Sequence, residues 1–151
     1  MRSEKMMKRF YIYIIGVVLL LVGCDVETSN NGNLDGFWQM TQMVDKQVNT
    51  IYDMCNSGLT WSFQGKMLEL RDVKKIHQDI IGDFSYQGGT LSVNHLYIVD
   101  RDKGDVSIDD PITYLVPYGI GRLQDQFQVL ELSSDQMILE STDFLLRFRK
   151  Y

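Results

Sequence analysis

At 151 residues the chain is sized for one domain, and its 44% apolar composition is enough to build a core. Residues 1–23 hold Arg2, Lys5, Lys8 and Arg9 against one acid, Glu4, so the other 128 residues carry 11 bases and 19 acids, a net charge of −8. That excess repels phosphate backbones and excludes nucleic acid as a partner, while two cysteines, Cys24 and Cys55, are too few for a disulfide framework.

The first 23 residues have the layout of an export signal. Four bases precede an uncharged run from Phe10 to Gly23. Its 14 residues fall short of the ~20 a spanning helix needs and suit the apolar region of a secretory signal. The run ends in Leu21-Val22-Gly23-Cys24, which resembles the lipobox of bacterial lipoprotein signal peptides. The resemblance implies cleavage between Gly23 and Cys24 and acylation of Cys24, with palmitate-type chains holding the protein in a membrane. Each buried methylene contributes about 0.8 kcal/mol, so two or three chains anchor stably. The expected location is the cell envelope, at the outer membrane on its periplasmic face or the cell surface. Asp25 and Glu27 partly match an export pattern for the surface, and the leaflet stays open. From Cys24 to Asn33 the chain is polar and reads as a flexible tether of residues 24–33.

From Leu34 to Tyr151 the dominant period is two, which predicts an all-β domain over residues 34–151. Strand one is expected near Gly36 to Val44, with Trp38 and Met40 on one face. Leu59, Trp61 and Phe63 alternate with polar residues in the next strand, and Met67 to Val73 forms another. Ile80, Phe84 and Tyr86 follow. Gly88-Gly89 then makes a hairpin turn, since glycine accepts φ > 0. Leu91, Val93, His95, Tyr97 and Val99 are predicted on a single face. Pro117 to Gly121 reads as an ordered loop or one helical turn, and Phe127 to Leu132, Gln136 to Ser141 and Phe144 to Lys150 close the series. About eight strands in neighbour order predict an antiparallel up-and-down barrel, with a β-sandwich as the alternative.

Asp35-Gly36-Phe37-Trp38 at the start of the first strand resembles the Gly-x-Trp motif of lipocalins, and the order of strands is similar to that of small lipocalin-like lipoproteins of Bacteroidetes. In that family an arginine of the last strand packs over the tryptophan and closes one barrel end. The resemblance implies that role for Arg147 or Arg149 over Trp38, and the alternation does not choose between them. It also implies a non-enzymatic module binding a small apolar ligand or a cell-envelope component, its cavity lined by Trp61, Phe63, Phe84, Tyr86 and Tyr97. Those same rings are bulky enough to fill an eight-stranded barrel, so a packed, ligand-free interaction or inhibitor module is the competing expectation.

Nothing in the pattern points to catalysis or a cofactor. The acidic stretch Asp100 to Asp105 lacks the glycine and glutamate spacing of a calcium loop. His77 and His95 sit in no ligand motif, and His95 reads as a hydrogen-bonded core residue. Cys55 has no neighbouring base to activate it. Tyr114, Pro117 and Tyr118 read as loop packing or as a rim at the barrel mouth.

Overall fold

The computed structural model describes residues 29–151. The signal segment, Gly23 and Cys24 lie outside the described residues. Ten strands form one antiparallel sheet: β1 (Gly36–Asp45), β2 (Thr50–Asp53), β3 (Leu59–Gln64), β4 (Met67–Asp72), β5 (Ile80–Gln87), β6 (Thr90–Ile98), β7 (Val106–Ser107), β8 (Asp125–Leu132), β9 (Gln136–Glu140) and β10 (Phe144–Lys150). Eight of them, all but β2 and β7, run in neighbour order around a ring. The ring closes because β10 pairs with β1 from Trp38↔Lys150 to Asp45↔Phe144. That closure rules out the sandwich alternative. A closed ring leaves none of its eight strands as an open sheet edge.

Two short strands went unforeseen. The first half of β1 pairs with β3, and its second half pairs with β2, so β2 extends the wall where β3 departs. Residues Val106–Ser107 pair with the end of β6. A short helix α1 (Pro111–Tyr114) and a 3-10 turn, Val116–Tyr118, follow before β8.

The antiparallel register sorts the connections into two ends. The entry end carries the start of β1, the β3–β4 turn at Gly65, the Gly88-Gly89 turn, the Ser133–Asp135 turn and Lys150. The opposite, loop end carries the β1–β2 and β2–β3 connections, the segment between β4 and β5, the long stretch from β6 to β8, and the β9–β10 turn. Order also starts before Leu34. Gly32–Leu34 forms a 3-10 turn, and the Asn31 amide donates to the carbonyl of Gly65 at 2.7 Å, so these residues belong to the domain rather than to a tether.

Alternation breaks at three bulges, between Met40 and Gln42, between Ile81 and Asp83, and between Val129 and Glu131. Each bulge adds twist and reverses which face later residues take. The middle one corrects the sequence reading of β6. Leu91 and Val93 point inward as expected, but the extra residue near His95 sends Leu96 inward and His95 and Tyr97 outward. His95 adopts a left-handed φ of 48°. Across from it, Gly82 is buried in a space with no room for a side chain. An added Cβ would stand 2.6 Å from Leu96 Cδ2 and 2.9 Å from the Asn94 carbonyl oxygen.

Among the described residues the core is one cluster running from Leu34 to Phe148. Because backbone as well as a methyl group blocks the site, Gly82→Ala is expected to destabilise the domain by about 1–3 kcal/mol in urea unfolding. Ser85→Ala on the outer face of the same strand should leave the midpoint nearly unchanged.

Candidate functional site

A barrel of this kind offers its interior and its two ends as places for function. At the entry end the Trp38 ring is fully buried, and its Nε1–H donates to the carbonyl of Leu34 at 2.8 Å. This bond folds the 3-10 turn back under the barrel and satisfies the indole's one donor. The cation over the ring is Lys150, whose Nζ lies 4.9 Å from the ring centroid and donates to the Asn33 carbonyl at 2.8 Å. Neither Arg147 nor Arg149 takes that position. Trp38 and Lys150 are direct partners across the β1–β10 ladder, whereas both arginines are exposed on the outer wall. Arg149 reaches Gln39 Oε1 at 3.0 Å.

The interior is built from rings. Trp61 lies centrally, 5.6 Å from Phe127 in an edge contact, 5.3 Å from Phe148 and 6.1 Å from Phe63. Phe63 in turn meets Phe84 at 5.0 Å, nearly perpendicular. Edge and tilted contacts at these distances are close to the preferred geometry of aromatic pairs. Of the five residues expected to line a cavity, Trp61, Phe63 and Phe84 belong to this cluster. Tyr86 is half-buried at its margin, and Tyr97 stands on the outer wall, 37% exposed.

The loop end is stoppered by the chain itself. Leu115, Tyr118 and Ile120 are all fully buried. The Tyr118 carbonyl accepts from Trp61 Nε1 at 3.1 Å, and its hydroxyl donates to the Gln78 carbonyl at 2.8 Å. Burial first, and then the carboxylates of Asp79 and Asp72, push its phenol well above the ordinary range. Gly119 has a left-handed φ of 78°, and a Cβ there would lie 2.4 Å from Leu146 Cδ2. Only glycine lets the segment turn so closely over β10. Asp110 begins the approach to this plug by capping α1, accepting from the backbone of Ile112 and Thr113.

Two buried carboxylates hold the loop end in place. Asp72 organises the β4–β5 connection. Burial raises its carboxyl, but the backbone N–H groups of His77, Lys74 and Ile76 and the His77 ring outweigh that and hold it below the ordinary value. Asp125 accepts from the backbone of Gly121 and Gln126, yet burial dominates and its carboxyl is raised.

The other candidates resolve individually. His77 pairs with Asp72 at 3.0 Å as part of that loop. His95 is an exposed surface residue rather than a core histidine, 2.7 Å from Asp83. Cys55 is an exposed free thiol whose pKa its hydrogen bond to Asp53 raises, the opposite of what a nucleophile needs. In the acidic stretch, Asp100 Oδ1 accepts from the backbone of Asp102 and Lys103, and Asp105 Oδ1 accepts from Asp100 N, so these carboxylates build the turn. Tyr114 lies half-buried at the edge of the core.

A closed eight-stranded meander with a tryptophan-locked entry turn defines a lipocalin-type β-barrel. The chain belongs to the lipocalin-like domain family, whose model matches residues 19–151. Among solved structures it is similar to a lipocalin-like protein of Bacteroides uniformis, at 19% identity and a TM-score of 0.57, over 80% of this chain and 100% of that one. It is also similar to an uncharacterized protein of Bacteroides eggerthii, at 13% identity and a TM-score of 0.54, over 78% and 99% of the two chains. A protein of Burkholderia xenovorans matches at 14% identity and a TM-score of 0.51, over 78% and 83%. At these identities the likeness concerns the fold. No curated protein matches the chain.

Lys150→Ala should lower stability by about 0.5–1 kcal/mol through the lost cation–π contact, while Arg147→Ala should change it by less than about 0.5 kcal/mol; paired urea curves separate the two. Tyr118→Phe, which leaves the Gln78 carbonyl without its donor, should cost about 1 kcal/mol and speed hydrogen exchange at Gly119 and Ile120. The carboxylates should behave oppositely with pH. Asp72 contributes stability above its unfolded pKa of about 3.9, and this is lost as pH falls through its lower folded value. Asp72→Asn is therefore expected to be most damaging at pH 7 and progressively less so as pH falls below the unfolded value. Asp125 has a raised folded pKa, so its ionisation weakens the fold as pH rises, and Asp125→Asn should be relatively better tolerated at pH 7 than at pH ~4.

Proposed function

We propose that this protein is an envelope lipoprotein whose lipocalin-like domain is a packed, non-enzymatic binding module working through its outer surface. The observation that carries the reading is the filled interior. Rings from β3, β5, β8 and β10 touch one another across the barrel, while Leu115, Tyr118 and Ile120 occupy its loop end. A small apolar ligand would have to displace that plug and break both Tyr118 hydrogen bonds. Membrane attachment is inferred from the Leu21-Val22-Gly23-Cys24 sequence. Asn31 is seated at the entry end by its bond to Gly65, so attachment through Cys24 would leave the loop end facing away from the lipid.

One observation favours a second reading. The residues facing inward are almost wholly apolar, as an interior pocket for a small hydrophobic ligand requires. In that case the 115–120 segment acts as a stopper that must swing aside.

Two measurements test these readings. Cys24→Ser should abolish palmitate labelling and move the protein out of the membrane fraction; unchanged fractionation and labelling would refute the anchor. Titration of residues 24–151, with Cys24→Ser, by N-phenyl-1-naphthylamine should give no saturable fluorescence rise. A saturable rise with quenching of Trp61 would establish the hollow-barrel reading instead.

A further inference from the structure

The entry end presents aromatic rings to solvent. Phe37 and Tyr151 sit on neighbouring strand ends, where the Tyr151 N–H donates to the Phe37 carbonyl at 3.0 Å, one step beyond the Trp38↔Lys150 pair. Because Trp38 points inward, Phe37 points outward, and the two rings are 57% and 77% exposed. Met67, 56% exposed, follows Lys66 on the same rim. Arg149 and Arg147 stand along the outer face of β10 next to the rings. Among the described residues neither arginine nor Lys66 forms an ion pair. Asn31, held on this end by the Gly65 carbonyl, is seven positions from Cys24.

We propose that the entry rim seats directly on a phospholipid bilayer, with the Phe37 and Tyr151 rings at the level of the headgroups. The inference rests on the reading that Cys24 carries the lipid. Reach selects the occupant. Seven residues span at most about 25 Å when fully drawn out, and β1 alone runs about 30 Å along the wall. The entry end therefore meets the lipid bearing Cys24 with chain to spare, whereas the loop end would reach it only with that link stretched along the whole wall. The side chains suit the place. Tyrosine collects at membrane boundaries because one end of its ring is apolar and the other wet, and Phe37 and Met67 add apolar surface that gains from leaving water. Arg147, Arg149 and Lys66 supply donors for headgroup phosphates. The rim carboxylates Asp35 and Asp135 already accept hydrogen bonds within their own turns, from Asn31 and Ser133. The loop end exposes apolar side chains too, Ile76 and Ile112 among them, but its charge is wrong for lipid. The connection from Asp100 to Asp110 sets five aspartates against Arg101 and Lys103. An anionic surface repels that end and turns it outward.

Two fluorescent variants test the seating. Phe37→Trp puts a probe on the rim and Ile112→Trp puts one at the loop end; both sites are exposed, so neither change disturbs the core. Each full-length chain is produced in bacteria, purified from the membrane fraction and placed in nanodiscs of phosphatidylcholine and phosphatidylglycerol with bromine on the acyl chains near the headgroup. Bromine quenches tryptophan only at close range, and the unmodified chain in the same discs supplies the Trp38 and Trp61 background. The expected result is quenching at least about threefold greater for Phe37→Trp than for Ile112→Trp. Adding Arg147→Glu and Arg149→Glu should bring the two probes to within about twofold of each other. Equal quenching of the two original probes, stronger quenching of Ile112→Trp, or no quenching in an acylated protein overturns the seating and leaves the anchor standing. Recovery of the protein without acyl chains refutes the anchor instead. The two variants are then mixed with brominated vesicles of the same lipids, where selective quenching of Phe37→Trp supports the rim as a lipid-binding face and its absence overturns that as well.

Discussion

The ladder between β1 and β10 joins residues 99 to 112 positions apart, and it conditions the rest of the molecule. Once those strands pair, the sheet becomes a ring of fixed circumference, and eight strands enclose a space about as wide as side chains can fill. The rings of Trp61, Phe63, Phe84, Phe127 and Phe148 meet that requirement together. No single strand could supply them, and without closure the same faces would lie open to water. The same ladder sets Lys150 opposite Trp38, so the strand pairing that closes the wall also delivers the cation that covers one end.

The two ends are stopped by different means. Beneath the entry end, one indole N–H ties a three-residue turn to the first strand, with little chain involved. The loop end needs a longer solution: α1, the 3-10 turn Val116–Tyr118 and Gly119 carry three apolar side chains into the opening. The buried Asp72 and Asp125 fix the flanks by accepting backbone N–H groups that the irregular chain leaves without ladder partners. The loop end is thus held by polar bonds to backbone around an apolar stopper.

Much of this was legible in the residues. Period-two alternation located all eight barrel strands, and Gly36-Phe37-Trp38 marked the start of the first. What alternation cannot register is a bulge, because one inserted residue inverts every later assignment. That is why His95 and Tyr97 were placed inside and stand outside, with Gly82, a lone glycine in a strand, as the clue available. The choice between Arg147 and Arg149 failed for a different reason: both alternate with the inward Leu146 and Phe148 and so face outward, whereas Lys150 shares the inward face and is the residue paired with Trp38. The helix α1 carried its own signal in Asp110-Pro111, an N-cap followed by proline at the first helical position, but four residues are too few to show a helical period. Tyr118 gave no local sign of being a plug, since its partners at Gln78 and Trp61 lie 40 and 57 positions away.

Closure by the first and last strands has a temporal consequence. Until residues 144–150 have been made, β1 lacks one neighbour over its whole length, and the interior cannot be sealed. Hairpins such as β5–β6 can form early from local contacts, but the ladder that completes the ring waits for the longest loop closure in the domain. A chain built this way stays open through its own synthesis. It acquires its final shape in one late step, wherever it happens to be by then.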